Sequence, residues 1–158
     1  VRRSNYFLIS WLPVVLWFLL IFGASTDMMS SNRTSRIIEP ILQWFKPDVK
    51  ETTIRQIQIV IRKGAHVIEY AILALLLYRA IRRTLGRGPD DWCRRCAAWA
   101  WGITFLYAAS DEWHQTFVPS RGGSIHDMLI DCCGAALGLV LWHGWLLYQR
   151  ERKLQTAG

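Results

Sequence analysis

Long apolar runs separated by short polar connections dominate the chain. Tyr6 to Ala24 is 19 residues without a charge, close to the roughly 20 residues that cross a hydrocarbon core. Ala65 to Ile81 is a second run, densest from Ala71 to Tyr78, with His66 and Glu69 near its start. A third begins at Ala97, is clean to Ala109, and reaches spanning length at Phe117 only by including Asp111, Glu112 and His114. The fourth, Met128 to Tyr148, holds 21 residues with Asp131 inside. The pattern predicts transmembrane helices over about 6–24, 65–81, 97–117 and 128–148. Arg2 and Arg3 before the first run also fit a cleavable signal peptide. Its apolar stretch is long for one, and Gly23-Ala24-Ser25 is a poor cleavage site, so a retained helix is expected.

Two further patterns lie between the first and second runs. Ile37, Ile38, Ile41, Leu42 and Phe45 recur at helical spacing with Trp44 beside them. Ile54, Ile57, Val60 and Ile61 repeat it beyond Pro47. Both predict short amphipathic helices at the outer membrane interface. The fold class is therefore all-α: a polytopic four-transmembrane-helix bundle with short amphipathic interfacial helices between helices one and two. Residues 1–158 make one membrane domain. Four such helices have little polar sequence to cover them in water, which favours a bilayer.

Charge refines this. Nineteen Lys and Arg against 12 Asp and Glu leave +7, which alone would suggest a nucleic-acid partner. Position argues otherwise. Arg2 and Arg3 precede helix one, Arg79, Arg82, Arg83, Arg87, Arg94 and Arg95 crowd the second connection, and Arg150, Arg152 and Lys153 follow helix four. The density of these positives predicts both termini in the cytoplasm. The excess charge fixes topology, and no nucleic-acid partner is expected. Cysteine adds little: Cys93 and Cys96 have C-x-x-C spacing without a second pair or His at zinc-finger spacing, so neither a metal nor a redox role is expected. Cys132 and Cys133 fall in an apolar run, where Cys acts as a small hydrophobe.

The candidate chemistry lies in polar residues within or beside membrane segments, which are costly there and default to function. Lys63, His66, Glu69 and Tyr70 open helix two. Asp111, Glu112, His114 and Gln115 close helix three, and Arg121 follows. Asp127 and Asp131 open helix four. The expected topology brings all three groups to the outer face at similar depth. Gly134 and Gly138 share a face of helix four with Asp131, as close helix packing requires. His and carboxylates can relay protons or position a nucleophile, while Arg and Lys suit phosphate. Glu69, Asp111 and Asp127 could hold a divalent cation such as Mg²⁺ or Mn²⁺ by oxygen ligation, though no spacing specifies one. A charge-paired cluster that only locks helices together is the plainer alternative.

At these residues the chain resembles the VanZ-like membrane proteins of bacteria. Arg62-Lys63-Gly64-Ala65-His66-Val67-Ile68-Glu69-Tyr70 is similar to the family's first motif. Ser110 to Arg121 is similar to its second, with Asp-Glu, Gln, Phe, Pro and Arg at the expected intervals. Asp127, Asp131, Gly134 and Gly138 resemble the third; Ser120 stands where Gly is frequent. The resemblance spans about residues 55 to 145. It implies the cell envelope, since the founding member is associated with resistance to the glycopeptide teicoplanin. It also implies kinship with membrane proteins proposed to act on lipid head groups.

The expectation that follows is an inner-membrane enzyme acting at its outer face on a phospholipid or polyprenyl-linked glycan precursor, by phosphoester hydrolysis or head-group transfer. His66 would be base or nucleophile, oriented by Glu69. Asp111, Glu112 and Asp127 would supply acid–base chemistry or metal ligation. Lys63 and Arg121 would bind phosphate, with Tyr70, His114, Gln115 and Asp131 contributing to substrate binding. The alternative is a non-catalytic lipid-binding or antibiotic-shielding protein with the same pocket.

Overall fold

A computed structural model describes residues 2–25, 40, 44, 50–89, 91–118 and 122–157. They form four helices in chain order: α1 (Arg2–Ser25), α2 (Glu51–Thr84), α3 (Arg94–Gln115) and α4 (Ile125–Ala157). There is no strand among the described residues. Ile37, Ile38, Ile41, Leu42 and Phe45, the first expected interfacial helix, lie outside them, as does Arg121.

The second expected interfacial helix is not a separate element. Glu51 to Thr84 is one helix of 34 residues, about 51 Å long at 1.5 Å per residue. Ile54, Ile57, Val60 and Ile61 lie on its first turns. No proline or turn chemistry follows Pro47 to break it, so the helix runs through the polar Arg62-Lys63-Gly64 step into the apolar stretch. The fourth helix likewise continues beyond Tyr148 to Ala157, because its last turns remain good helix formers outside the apolar run.

Four spans are not all carried by composition. Phe7–Ser25 and Ile125–Thr156 are long and apolar enough to cross a membrane. α2 and α3 do not qualify among the described residues. In α2 the uncharged stretch between Glu69 and Arg79 is too short, and α3 carries Arg94 and Arg95 at one end and Asp111 and Glu112 at the other.

α2 is the central helix. Its Tyr70, Leu73, Ala74, Leu77, Tyr78 and Ala80 are buried. Val14 and Ile21 of α1, Cys96, Ala100 and Ala108 of α3, and Ala135 and Leu139 of α4 complete the core. α2 packs most extensively on α4. The reason is steric: a Cβ on Gly134 would lie 2.5 Å from the Val67 carbonyl oxygen, and one on Gly138 would lie 3.0 Å from Ala71. Glycine lets the two backbones meet there, as small residues do at membrane helix interfaces.

The end of α2 is set by Gly86, whose φ of 65° suits glycine. The Arg87 amide then donates to the Arg82 carbonyl (3.0 Å), a Schellman-like stop. Beyond it Cys93 and Cys96 are joined as a disulfide across the first turn of α3, a pairing that the isolated C-x-x-C spacing did not lead us to expect. Tyr78, Trp92 and His143 stack in sequence at this end, with ring centroids 5.1 and 4.5 Å apart.

Much of the outer surface is apolar. Leu8, Leu12, Leu16 and Leu19 of α1, Trp99, Leu106 and Trp113 of α3, and Val140, Leu141 and Trp145 of α4 are all exposed.

Candidate functional site

The three polar groups meet at one end of the bundle. Helical spacing sets His66 and Tyr70 one turn apart on α2, with their rings stacked at 6.5 Å. Each faces a carboxylate on a different helix. His66 Nδ1 stands 3.2 Å from Asp131 Oδ1 of α4. The Tyr70 hydroxyl donates to Asp111 Oδ2 of α3 (3.3 Å). Lys63 and Arg62, one turn earlier, reach Asp127 at 3.7 and 3.6 Å. Adjacent turns of α2 thus pair with the first turns of α4 and the last turns of α3.

Asp131 is completely buried, and neither of its oxygens has a hydrogen-bond partner in place among the described residues. Its contact with His66 is an ion-pair distance without hydrogen-bond geometry. A buried carboxylate in that condition is energetically costly, which marks the pair as an arrangement maintained by the surrounding packing. His66 Nδ1 is itself buried, while 17% of the side chain remains accessible. The accessible part of the imidazole is therefore not the nitrogen that faces Asp131.

Asp111 serves as a hub. Its Oδ2 accepts from Ser25 Oγ (2.8 Å), Gln115 Nε2 (3.1 Å) and the Tyr70 hydroxyl. Asp111 and Gln115 meet because they are one turn apart on α3. Ser25, at the last turn of α1, was not singled out by the sequence. Its only signal was a hydroxyl ending an apolar run. Neighbouring contacts tie α1 to the same end: Trp17 Nε1 donates to the Glu69 carbonyl (2.9 Å), and the Tyr107 hydroxyl donates to the Phe18 carbonyl (2.7 Å).

Glu112 is buried, and its Oε2 accepts from the Ser124 amide (2.7 Å), which fastens the loop entering α4 to the end of α3. Its Oε1 is buried and has no partner among the described residues. His114 packs its ring on Phe22 of α1, 4.9 Å between centroids, so it supports the wall near α1. Glu69 is half-buried beside His66 on α2, and the carboxylate in contact with the imidazole is that of Asp131. Arg62, unselected from the sequence apart from its place in the first motif, stands beside Lys63 on Asp127.

The site does not fit the divalent-cation arrangement considered for Glu69, Asp111 and Asp127. Among the described residues no three His, Cys, Asp or Glu side chains are grouped to hold a metal. Asp111 is committed to Ser25, Tyr70 and Gln115, and Asp127 to Arg62 and Lys63. The three donors on Asp111 converge on Oδ2, and the two cations beside Asp127 already balance its charge.

The model of the VanZ/LLP1 family matches residues 8–148, from the first helix through most of the fourth. The chain belongs to the VanZ/LLP1 family. Membership covers the whole constellation above, from Ser25 to Asp131, and points to an envelope-related protein associated with antibiotic resistance. No curated protein and no solved structure matches the chain.

Proposed function

We propose that this VanZ/LLP1 protein spans the bacterial inner membrane four times, with both termini cytoplasmic, and acts on phosphate-bearing lipid head groups at the outer face. The exposed apolar side chains of α1, α3 and α4 support a bilayer setting, because a water-facing surface of that extent would be unstable. α2, too polar to qualify by composition, would cross as the central helix, since α1, α3 and α4 all pack against it. The site would lie at the head-group level, where a phospholipid or a polyprenyl-linked glycan precursor presents its phosphate.

The observation that carries the chemistry is the contact of His66 with buried Asp131, one turn from Arg62 and Lys63. In the hydrolytic form, a water oxygen attacks phosphorus as its proton passes to the imidazole nitrogen away from Asp131. The phosphorus–oxygen bond to the leaving alcohol breaks, and the imidazolium returns the proton to that oxygen. Asp131 stabilises the imidazolium between the two transfers, beside Glu69, which was expected to orient the ring. In head-group transfer an alcohol replaces the water. Arg62 and Lys63, half-exposed and weakly held by Asp127, draw in the phosphate; Arg121, which the sequence offers as a bidentate phosphate donor, would add to them. Asp111 is a positioning residue that holds Tyr70 against His66, and Glu112 anchors the loop.

The test is turnover by the purified chain in proteoliposomes, followed by mass spectrometry of phospholipids and polyprenyl phosphates. Wild type should convert one of these classes, and His66→Ala should abolish conversion. Asp131→Asn should lower kcat with little change in KM. No conversion of any of them by wild type, with lipid still retained, would replace the enzyme with a lipid-binding protein.

A further inference from the structure

A second feature lies at the opposite end of the bundle. A groove of about 770 Å³ is lined by Phe7, Ile9 and Ser10 of α1 and by Arg83, Thr84, Gly86 and Arg87 at the end of α2. Its volume falls within the roughly 300–1,000 Å³ of small-ligand sites. The floor is preorganised. Trp11 Nε1 donates to Thr84 Oγ1 (3.0 Å), and that hydroxyl donates to the Ala80 carbonyl (2.9 Å), so α1 and α2 are pinned together beneath it. Gly86 turns the chain so that Arg87 returns to the rim.

Two other arginines at this end are already engaged. Arg82 donates to the Pro89 carbonyl, and Arg150 pairs with Asp91 at 3.1 Å. Arg83 and Arg87 have no ion-pair partner among the described residues, and both are exposed. Two exposed guanidinium groups on a groove match a phosphate. The other wall is apolar: Phe7 and Ile9 are 53% and 57% exposed, and the apolar face of α1 continues from them through Leu8, Leu12 and Leu16. A soluble phosphate has no use for that wall, whereas an acyl chain does.

Depth agrees along two helices. Lys63 of the polar site and Arg83 of the groove are both on α2, about 30 Å apart at 1.5 Å per residue. Ser25 of the polar site and Phe7 of the groove are both on α1, about 27 Å apart. Each separation is close to the roughly 30 Å of a hydrocarbon core.

We infer that the groove between the start of α1 and the end of α2 binds an anionic phospholipid of the leaflet opposite the polar site. Arg83 and Arg87 hold its phosphate, and the Phe7–Ile9 wall takes the first part of its chains. Basic pockets between membrane helices recognise acidic head groups in this way. The inference rests on the membrane placement proposed above, but not on any reaction at His66.

Native mass spectrometry of the full chain, released from detergent containing dioleoylphosphatidylglycerol and dioleoylphosphatidylcholine, tests it. Wild type should retain phosphatidylglycerol over phosphatidylcholine. Arg83→Gln with Arg87→Gln should reduce that retention about tenfold or more, given two cationic contacts. The Arg83→Lys, Arg87→Lys pair should keep most of it, and His66→Ala should keep all of it. Equal retention of the two lipids by wild type would overturn the inference. So would undiminished phosphatidylglycerol in the Gln pair, or a loss on Lys63→Gln as large as theirs, which would move the lipid to the polar site. Turnover lost in His66→Ala with phosphatidylglycerol still bound would separate this groove from the proposed reaction.

Discussion

Ser25 Oγ and Asp111 Oδ2 stand 2.8 Å apart across 86 positions of sequence, both buried, and they join the end of the first helix to the hub of the polar cluster. The bond makes α1 part of the site rather than a separate anchor. Ser25→Ala should cost about 1 kcal/mol, the net worth of one hydrogen bond. Asp111→Ala should cost more, about 2–3 kcal/mol, because it strands buried donors on Ser25, Tyr70 and Gln115 together. Thermal unfolding in detergent reads both. Equal effects would mean that Asp111 is not the shared acceptor.

The approach of α2 to α4 depends on absent side chains. Gly134→Ala would place a methyl group against the Val67 backbone, which cannot yield as a side chain could. The expected loss is about 1–3 kcal/mol, typical of overpacking. Gly144→Ala, on the same helix with nothing within 4 Å of the new Cβ, should be neutral or slightly stabilising. Comparing their melting temperatures separates helix packing from helix propensity.

Arg62 and Lys63 share Asp127 at 3.6 and 3.7 Å with nearly half of each side chain exposed. Such pairs contribute little to stability. Arg62→Gln and Lys63→Gln should each change unfolding by less than about 1 kcal/mol, while weakening the uptake of an acidic lipid at this end. A large loss of stability would instead assign the two cations to structure.

Topology has a direct readout. In a chain with Cys132 and Cys133 replaced by Ala, Gly122→Cys beside the polar site should react with an impermeant thiol reagent added outside intact cells. Leu85→Cys, at the far end of α2, should react only after permeabilisation. The reverse pattern would turn the protein over in the membrane and move the site to the cytoplasmic face.

Residue spacing carried much of the arrangement. Turns of three and four residues put His66 and Tyr70 on one side of α2, and alternate helix directions brought three polar groups to one end. What it did not carry was pairing. Glu69 is the near neighbour of His66 along the chain, and the structure adds Asp131, from a helix 65 positions later, 3.2 Å from the imidazole. Asp111 stands out in the sequence as a costly intramembrane carboxylate, and only the fold shows that donors from three helices converge on its Oδ2. The fall in hydropathy at Arg62-Lys63-Gly64 resembles a boundary, yet α2 runs through it because the backbone meets no obstacle there.

The sequence alone determined the four helices, the crowding of arginine at one end, and the family motifs, since periodicity, charge and spacing are local properties of the chain. Tertiary structure decided which carboxylates Arg62, Lys63, His66 and Tyr70 meet, that Ser25 joins the cluster, and that Arg83 and Arg87 line a groove beside Phe7 and Ile9. Those facts depend on helix rotation and approach, and the bare backbones of Gly134 and Gly138 against Val67 and Ala71 set that approach for α2 and α4.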